Sequence, residues 1–209
     1  MAGRLSMVNT ASFENSRYAL AKKIPILDRT LSKGHAEVGI SAFAFLFSEM
    51  LQYSQKRVNG IQDLERKLAD FGYRVGIRAL ELITWRDKGG KRETRVLNVL
   101  YFVHSVMWKS LFGKQADSLE KSTDNEDEYM ISDNDPVVTR YISVPREYSS
   151  LNCGAFIAGI VEAVLDGSQF PARVSAHSNP MEGYPGRTTL VIKFDKSVME
   201  REKDAEPKR

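Results

Sequence analysis

The sequence predicts an α+β fold, four helices layered on a small twisted antiparallel sheet. Three observations predict it. Three long segments between Val38 and Phe112 carry apolar residues at helical spacing. A shorter helical segment follows at Leu151–Leu165, and two segments near the C-terminus, Phe170–His177 and Thr188–Asp195, alternate apolar and polar residues as half-buried strands do.

Taken in order, Val38–Val58 aligns Phe43, Leu46, Phe47, Met50, Leu51, Ser54 and Val58 on one helical face, and Asn59-Gly60 supplies a stop. Ile61 to Trp85 forms a second helix with Ile61, Leu64, Leu68, Phe71, Val75, Ala79 and Leu82 on one side. Its latter half adds a second apolar strip, Tyr73, Ile77 and Leu80. After the Asp87-Lys88-Gly89-Gly90-Lys91 connection, Thr94–Phe112 is apolar nearly all round, which predicts a central helix closed by Gly113. Asp117–Asp135 holds eight acids and one base, with Tyr129-Met130-Ile131 a short strand before the Asp133-Asn134-Asp135-Pro136 turn. Residues 137–148 carry no clear pattern. Ser149 or Ser150 caps the fourth helix, Gly167 stops it, and the Pro- and Gly-bearing stretch between the last two strands suits a hairpin loop. The organisation is a basic polar arm over residues 1–36, one α+β domain over 37–196, and a charged tail over 197–209 whose balanced composition reads as disordered.

Composition narrows the function. The chain has 209 residues, 42% hydrophobic and 27% charged, and its formal charge of +3 is concentrated in residues 1–37. There Arg4, Arg17, Lys22, Lys23, Arg29 and Lys33 face only Glu14, Asp28 and Glu37. A folded basic face of the kind that reads nucleic acid is therefore not expected. The single cysteine, Cys153, rules out an internal disulfide framework, and no Cys/His spacing matches a zinc site. Neither a signal peptide nor a lipid-anchor motif is expected, and Val96–Phe112 is too interrupted by polar residues to span a bilayer.

Chemistry is sparse. Gly72-x-x-x-Gly76 lies within a helix rather than after a strand, so it reads as close helix packing and not as a phosphate cradle. His35, His104 and His177 are scattered, and the Asp133–Asp135 run lacks the glycine and closing glutamate of a calcium loop. Cys153, in the first turn of the fourth helix with His177 one strand away, is the basis of an enzyme alternative. The small-sided Gly154, Ala155, Ala158 and Gly159 favour a structural cysteine instead. A lipid- or small-ligand-binding module is the other alternative, resting on the all-round apolar third helix with His104 in its middle. No catalytic residue, metal or cofactor is assigned.

The apolar surplus on the first two helices points to a partner surface, because one small core cannot bury both sides of adjacent helices. Phe45, Tyr73, Ile77 and Leu80 are its candidate residues. The arm adds an apolar knot, Ile24, Ile26 and Leu27 around Pro25, expected to dock on a partner.

Four segments in order resemble the small α/β core subunits of the transport protein particle, TRAPP: Ile26–Gly34, Ser41–Glu49, Gly72–Arg78 and Asn152–Glu162. With Phe170–Val174 and Thr189–Phe194 the resemblance spans most of residues 24–195. It implies a non-enzymatic scaffold in a cytoplasmic vesicle-tethering complex, peripheral at cis-Golgi and endoplasmic reticulum membranes. Its implied partners are sister α/β subunits, as heterodimers, and longin-like subunits; a Rab GTPase is met only indirectly, through nucleotide exchange by the assembled complex. A related subunit carries an acyl chain on a cysteine in the second-helix region. This chain has no cysteine between Ile61 and Ser110, so acylation is not carried over.

Overall fold

The computed structural model describes residues 38–86 and 92–205. The arm, with Ile24, Ile26 and Leu27, and the 87–91 connection lie outside the described residues. Two long helices come first, α1 (Ile40–Gln55) and α2 (Ile61–Arg86). A continuous helical rod is next, made of α3 (Val96–Tyr101), a π-helical turn (Phe102–Met107) and α4 (Trp108–Phe112). Strands β1 (Ser118–Lys121) and β2 (Glu128–Asp133) then lead to a short α5 (Val137–Arg140) and a 3-10 turn (Arg146–Tyr148). Helix α6 (Ala155–Gly167), strands β3 (Ala172–Ser178) and β4 (Thr188–Phe194) and a final α7 (Lys196–Asp204) complete the order.

The four strands pair antiparallel in the order β1-β2-β4-β3. Register puts Leu119, Ile131, Leu190 and Ala176 in one cross-strand row, and Tyr129, Ile192 and Val174 in the next row on the same face. Alternation along each strand makes this the core face, against which the helices pack. The opposite face carries Glu120, Arg173, Ser175, His177 and Lys193. The α+β layering expected from the hydrophobic periods is the observed one.

The α2–α6 crossing is the tightest contact in the fold. A Cβ at Gly72 would be driven into the carbonyl oxygen of Phe156, and one at Gly159 into that of Ala69. At Gly76 it would stand 2.5 Å from the Ile160 carbonyl oxygen and 2.8 Å from Ala163 Cβ. The Gly72-x-x-x-Gly76 spacing therefore serves backbone-to-backbone approach, with Leu68 and Ala79 closing the contact along α2. Helix α6 is buried on nearly all sides, between α2 and the sheet, and is the central helix of the domain.

That position overturns the expected centrality of the third helix. The rod buries Val96, Val99, Leu100, Val103, Met107 and Trp108, but leaves Leu97, Tyr101 and Val106 exposed. In an unbroken α-helix Trp108, twelve positions after Val96, would sit about 120° away from it. A π turn accommodates an extra residue and shifts the phase of the residues beyond it. Trp108 turns inward, 1% exposed, and its indole N–H donates to the buried Asp133 carboxylate at 3.1 Å. Lys114 supplies the counter-charge to Asp133 at 2.5 Å. Burial alone pulls the Lys114 ammonium down, yet its bonds to Asp133 and Asp117 hold it above its usual range.

Two further expectations are corrected, and one strand stands where none was expected. Helix α6 starts at Ala155 rather than Leu151, with no serine cap: Glu65 accepts the Asn152 N–H at 2.7 Å, Asn152 Oδ1 accepts the Gly154 N–H, and the chain turns through a 3-10 segment first. Strand β1 forms from a polar stretch that has no strand signal of its own, recruited by β2. The charged tail is not disordered over 196–204. There Val198 is buried, Arg95 pairs with Glu202 at 2.7 Å, and Arg201 stacks over the Phe170 ring at 4.6 Å.

Gly72→Ala should cost about 2–3 kcal/mol in urea unfolding or prevent folding, because the obstructing atom is backbone and the gain in helix propensity is only about 1 kcal/mol. Gly167→Ala meets only the Leu80 Cδ2 methyl, which can rotate away. It should stay within about 1 kcal/mol of the parent. Equal losses for both would contradict a backbone-locked crossing.

Candidate functional site

Among the described residues no group of His, Cys, Asp and Glu could hold a metal ion, and no helix is long and apolar enough to cross a membrane. The most conspicuous feature is a set of apolar side chains turned away from the core. Phe45, Leu46 and Tyr53 stand out from α1, with Phe45 75% exposed. Their outward orientation results from what α1 buries: Phe43 and Phe47 stack at 5.7 Å and Phe47 meets Phe156 edge-on, so the opposite side of the helix faces solvent.

Locked on α6 through Gly72 and Gly76, α2 has two free flanks. On one, Ile77 is 50% exposed, whereas its strip neighbours have intramolecular contacts. Leu80 packs on the core cluster, and the Tyr73 hydroxyl donates to Asp166 at 2.6 Å. That bond, with some burial and the nearby charges of Asp166 and Glu162, pushes the phenol up to about 12. On the other flank Phe71, Val75, Leu82 and Trp85 run together with Lys67, Arg74 and Arg78. Trp85 is 71% exposed, and the Lys67 ammonium sits 5.6 Å over the Phe71 ring. Leu97 and Tyr101 of α3 and Val106 of the π turn add a third exposed group.

Of the residues the sequence singled out, the structure therefore leaves Phe45 and Ile77 standing free. The periodicity misplaced Leu46, Val75 and Leu82 on the core side. It missed Leu97 and Tyr101 because each sits within an apolar run where a full turn is not needed by the core, and Trp85 because it stands at the helix end between Thr84 and Arg86.

The Cys153 and His177 pairing fails geometrically. Cys153 is 2% exposed and lies ahead of α6, not in its first turn. The neighbouring Gly154 stands against Ala176 and Thr188, on the helix side of the sheet. His177, one residue on from Ala176, points to the opposite face, where Nε2 meets Ser175 Oγ at 2.8 Å. Burial, reinforced by Glu65, pushes the Cys153 thiol up to about 11, so it is neutral at pH 7. His104, the basis of the ligand-module alternative, is half-buried, and its Nδ1 lies 3.0 Å from Ser105 Oγ.

The comparisons with known proteins agree with the layout. The family described as "Transport protein particle (TRAPP) component" matches residues 43–195. This chain belongs to the TRAPP family, and its role is that of a TRAPP complex subunit in trafficking. It is 56% identical to Trafficking protein particle complex subunit 5 of Dictyostelium discoideum, over 85% of this chain and 96% of that one. The subunit 5 of Homo sapiens is 46% identical over 88% and 95% of the two chains. In fold it resembles a trafficking protein particle complex subunit 3 from Naegleria fowleri, solved covalently bound to palmitic acid. That likeness has a TM-score of 0.65 at 15% identity, covering 75% of this chain and 95% of that one.

Thiol chemistry checks the site assignment. In the native protein at pH 7–8, Cys153 should react with a disulfide reagent at least about a hundredfold more slowly than in urea, consistent with a thiolate scarce below its raised pKa. Because the folded pKa lies above the unfolded one, its contribution to stability is complete below about pH 8.5 and is lost as pH rises through 11. Rapid labelling at neutral pH would contradict the buried position.

Proposed function

We propose that this chain is a non-catalytic scaffold within TRAPP, presenting its outer helix faces to sister α/β and longin-like subunits. The observation that carries this reading is α2 itself. One side of it is fixed on α6 by backbone contact, so Ile77 and Trp85, 50% and 71% exposed, are held on a helix that is already locked in place. An exposed apolar set of this size is favourable to bury at about 25 cal/mol per Å². The role extends, on this reading, to a cytoplasmic assembly that tethers vesicles at cis-Golgi and endoplasmic reticulum membranes. Nucleotide exchange on a Rab GTPase would belong to the assembled surface and not to this chain alone. The arm residues Ile24, Ile26 and Leu27 would dock on a sister subunit, with Phe45, Tyr73, Ile77 and Leu80 near the main contact.

Native mass measurement of the endogenous protein should return it in complex with related subunits; a free monomer would refute the reading. Ile77→Glu should abolish co-purification with the sister subunit while leaving the fold within about 0.5 kcal/mol, since Ile77 is surface-placed in the free chain. Trp85→Glu serves as the matched change on the other flank. If assembly survives Ile77→Glu but not Trp85→Glu, the pairing face is the basic flank. Survival of both would place the contact off α2. Deleting residues 1–36 should weaken the association, and an unchanged dissociation constant would remove the arm from the interface.

A further inference from the structure

A second feature lies where the irregular segment between α5 and the 3-10 turn crosses beside α1. Residues 141–145 run between two concavities. One, of about 260 Å³, opens toward Leu51, Gln52 and Gln55 of α1 and is closed by Tyr148; the other, of about 180 Å³, opens toward Cys153 and Thr188. Ile142 and Val144 line both, so the segment is a ridge with a groove on each side.

Part of the backbone of this ridge makes no hydrogen bond to another described residue. Ile142 N–H is used on Thr139, and Pro145 carbonyl receives Tyr148 N–H. Between them, among the described residues, neither the N–H groups of Ser143 and Val144 nor the carbonyls of Ile142, Ser143 and Val144 take part in a hydrogen bond within the protein. Ser143 is exposed, and Ile142 and Val144 on either side of it are half-buried. An accessible, unpaired run of main-chain donors and acceptors is what an added strand recognises, and flanking pockets are what accept its alternate side chains.

Charge restricts the occupant. The larger groove is lined by apolar, Tyr, Ser and Gln side chains, with no ionisable acid or base among them apart from the tyrosines. A carboxylate or ammonium placed there would lose water without gaining a counter-charge. Gln52 and Gln55 offer amide donors and acceptors to a polar backbone instead, and Tyr141 and Tyr148 offer flat rings to apolar or proline side chains.

We infer that the Tyr141–Pro145 ridge is a strand-addition site for an extended, uncharged segment of a partner protein, pairing with the Ser143–Val144 backbone and seating an apolar side chain between Leu51 and Tyr148. On α1 the groove continues the Phe45 stripe, because Ser48 and Gln52 follow Phe45 by three and seven positions.

The probe is a displayed library of random twelve-residue peptides, selected on the intact chain. The expected result is enrichment of sequences with four to six consecutive uncharged, strand-forming positions. A selected peptide N-methylated at alternate backbone positions should bind at least about tenfold more weakly, a test that leaves the protein untouched. Leu51→Arg should lower its binding by a similar factor, with thermal unfolding checked alongside. Three outcomes overturn the inference: no enrichment, enrichment of charged sequences, or binding indifferent to N-methylation. A fourth is self-association of the chain that a selected peptide dissolves, because the occupant would then be a second copy and not a partner segment.

Discussion

The close approach of α2 to α6 is the constraint on which the rest depends. Carbonyl oxygens of Phe156, Ile160 and Ala69 occupy the space where side chains at Gly72, Gly76 and Gly159 would be. Because α6 is also pressed on the sheet, this one crossing fixes both layers of the domain: α2 over α6, α6 over β3 and β4. Burying so small-sided an interface gains little transfer free energy per residue. It gains instead from dense packing of two backbones, where dispersion contacts are numerous and any added methylene is costly.

A helix held this firmly on one side is free to be apolar on others. Core helices usually expose a charged outer face, since exposed apolar surface invites association. Here α1, α2 and α3 break that pattern with Phe45, Leu46, Ile77, Trp85 and Tyr101, and the α2–α6 lock keeps the underlying fold from depending on whatever covers them. A subunit of an assembly needs this separation. Its own core must be complete before partners arrive, and its contact faces must be presented without ordering cost. The neutral ridge at Tyr141–Pro145 obeys the same logic with backbone groups in place of apolar side chains.

The fold was largely legible because its main signals are periods. Helices α1 and α2 and strands β3 and β4 alternate or repeat over enough residues to settle their type, and the glycine pair in α2 could be read as packing from its place inside a helix. What escaped depended on distant partners. Strand β1 exists only because β2 offers an edge, and α7 is held by Arg95 and Phe170, residues far earlier in the chain. The phase of Trp108 turned on a π turn that no spacing rule marks. The same limit applied to the contact faces: a helical wheel could find Phe45 and Ile77 by their contrast with a polar side, but could not tell which side of an all-apolar run the core would leave bare. Leu46, inside the Ala42–Phe47 run, was hidden for that reason. The Cys153 and His177 proximity in sequence terms dissolved once strand alternation put them on opposite faces of the sheet.

Native-state amide hydrogen exchange tests the central claim most directly, because it reads the stability of each element separately. If the backbone-locked crossing organises the domain, amides of α2 from Leu68 to Ile83 and those of α6 should exchange only through global unfolding, with α1 and α7 opening at lower free energy. Exchange of the α2 amides through a local opening, well below the global free energy and ahead of the sheet, would contradict it.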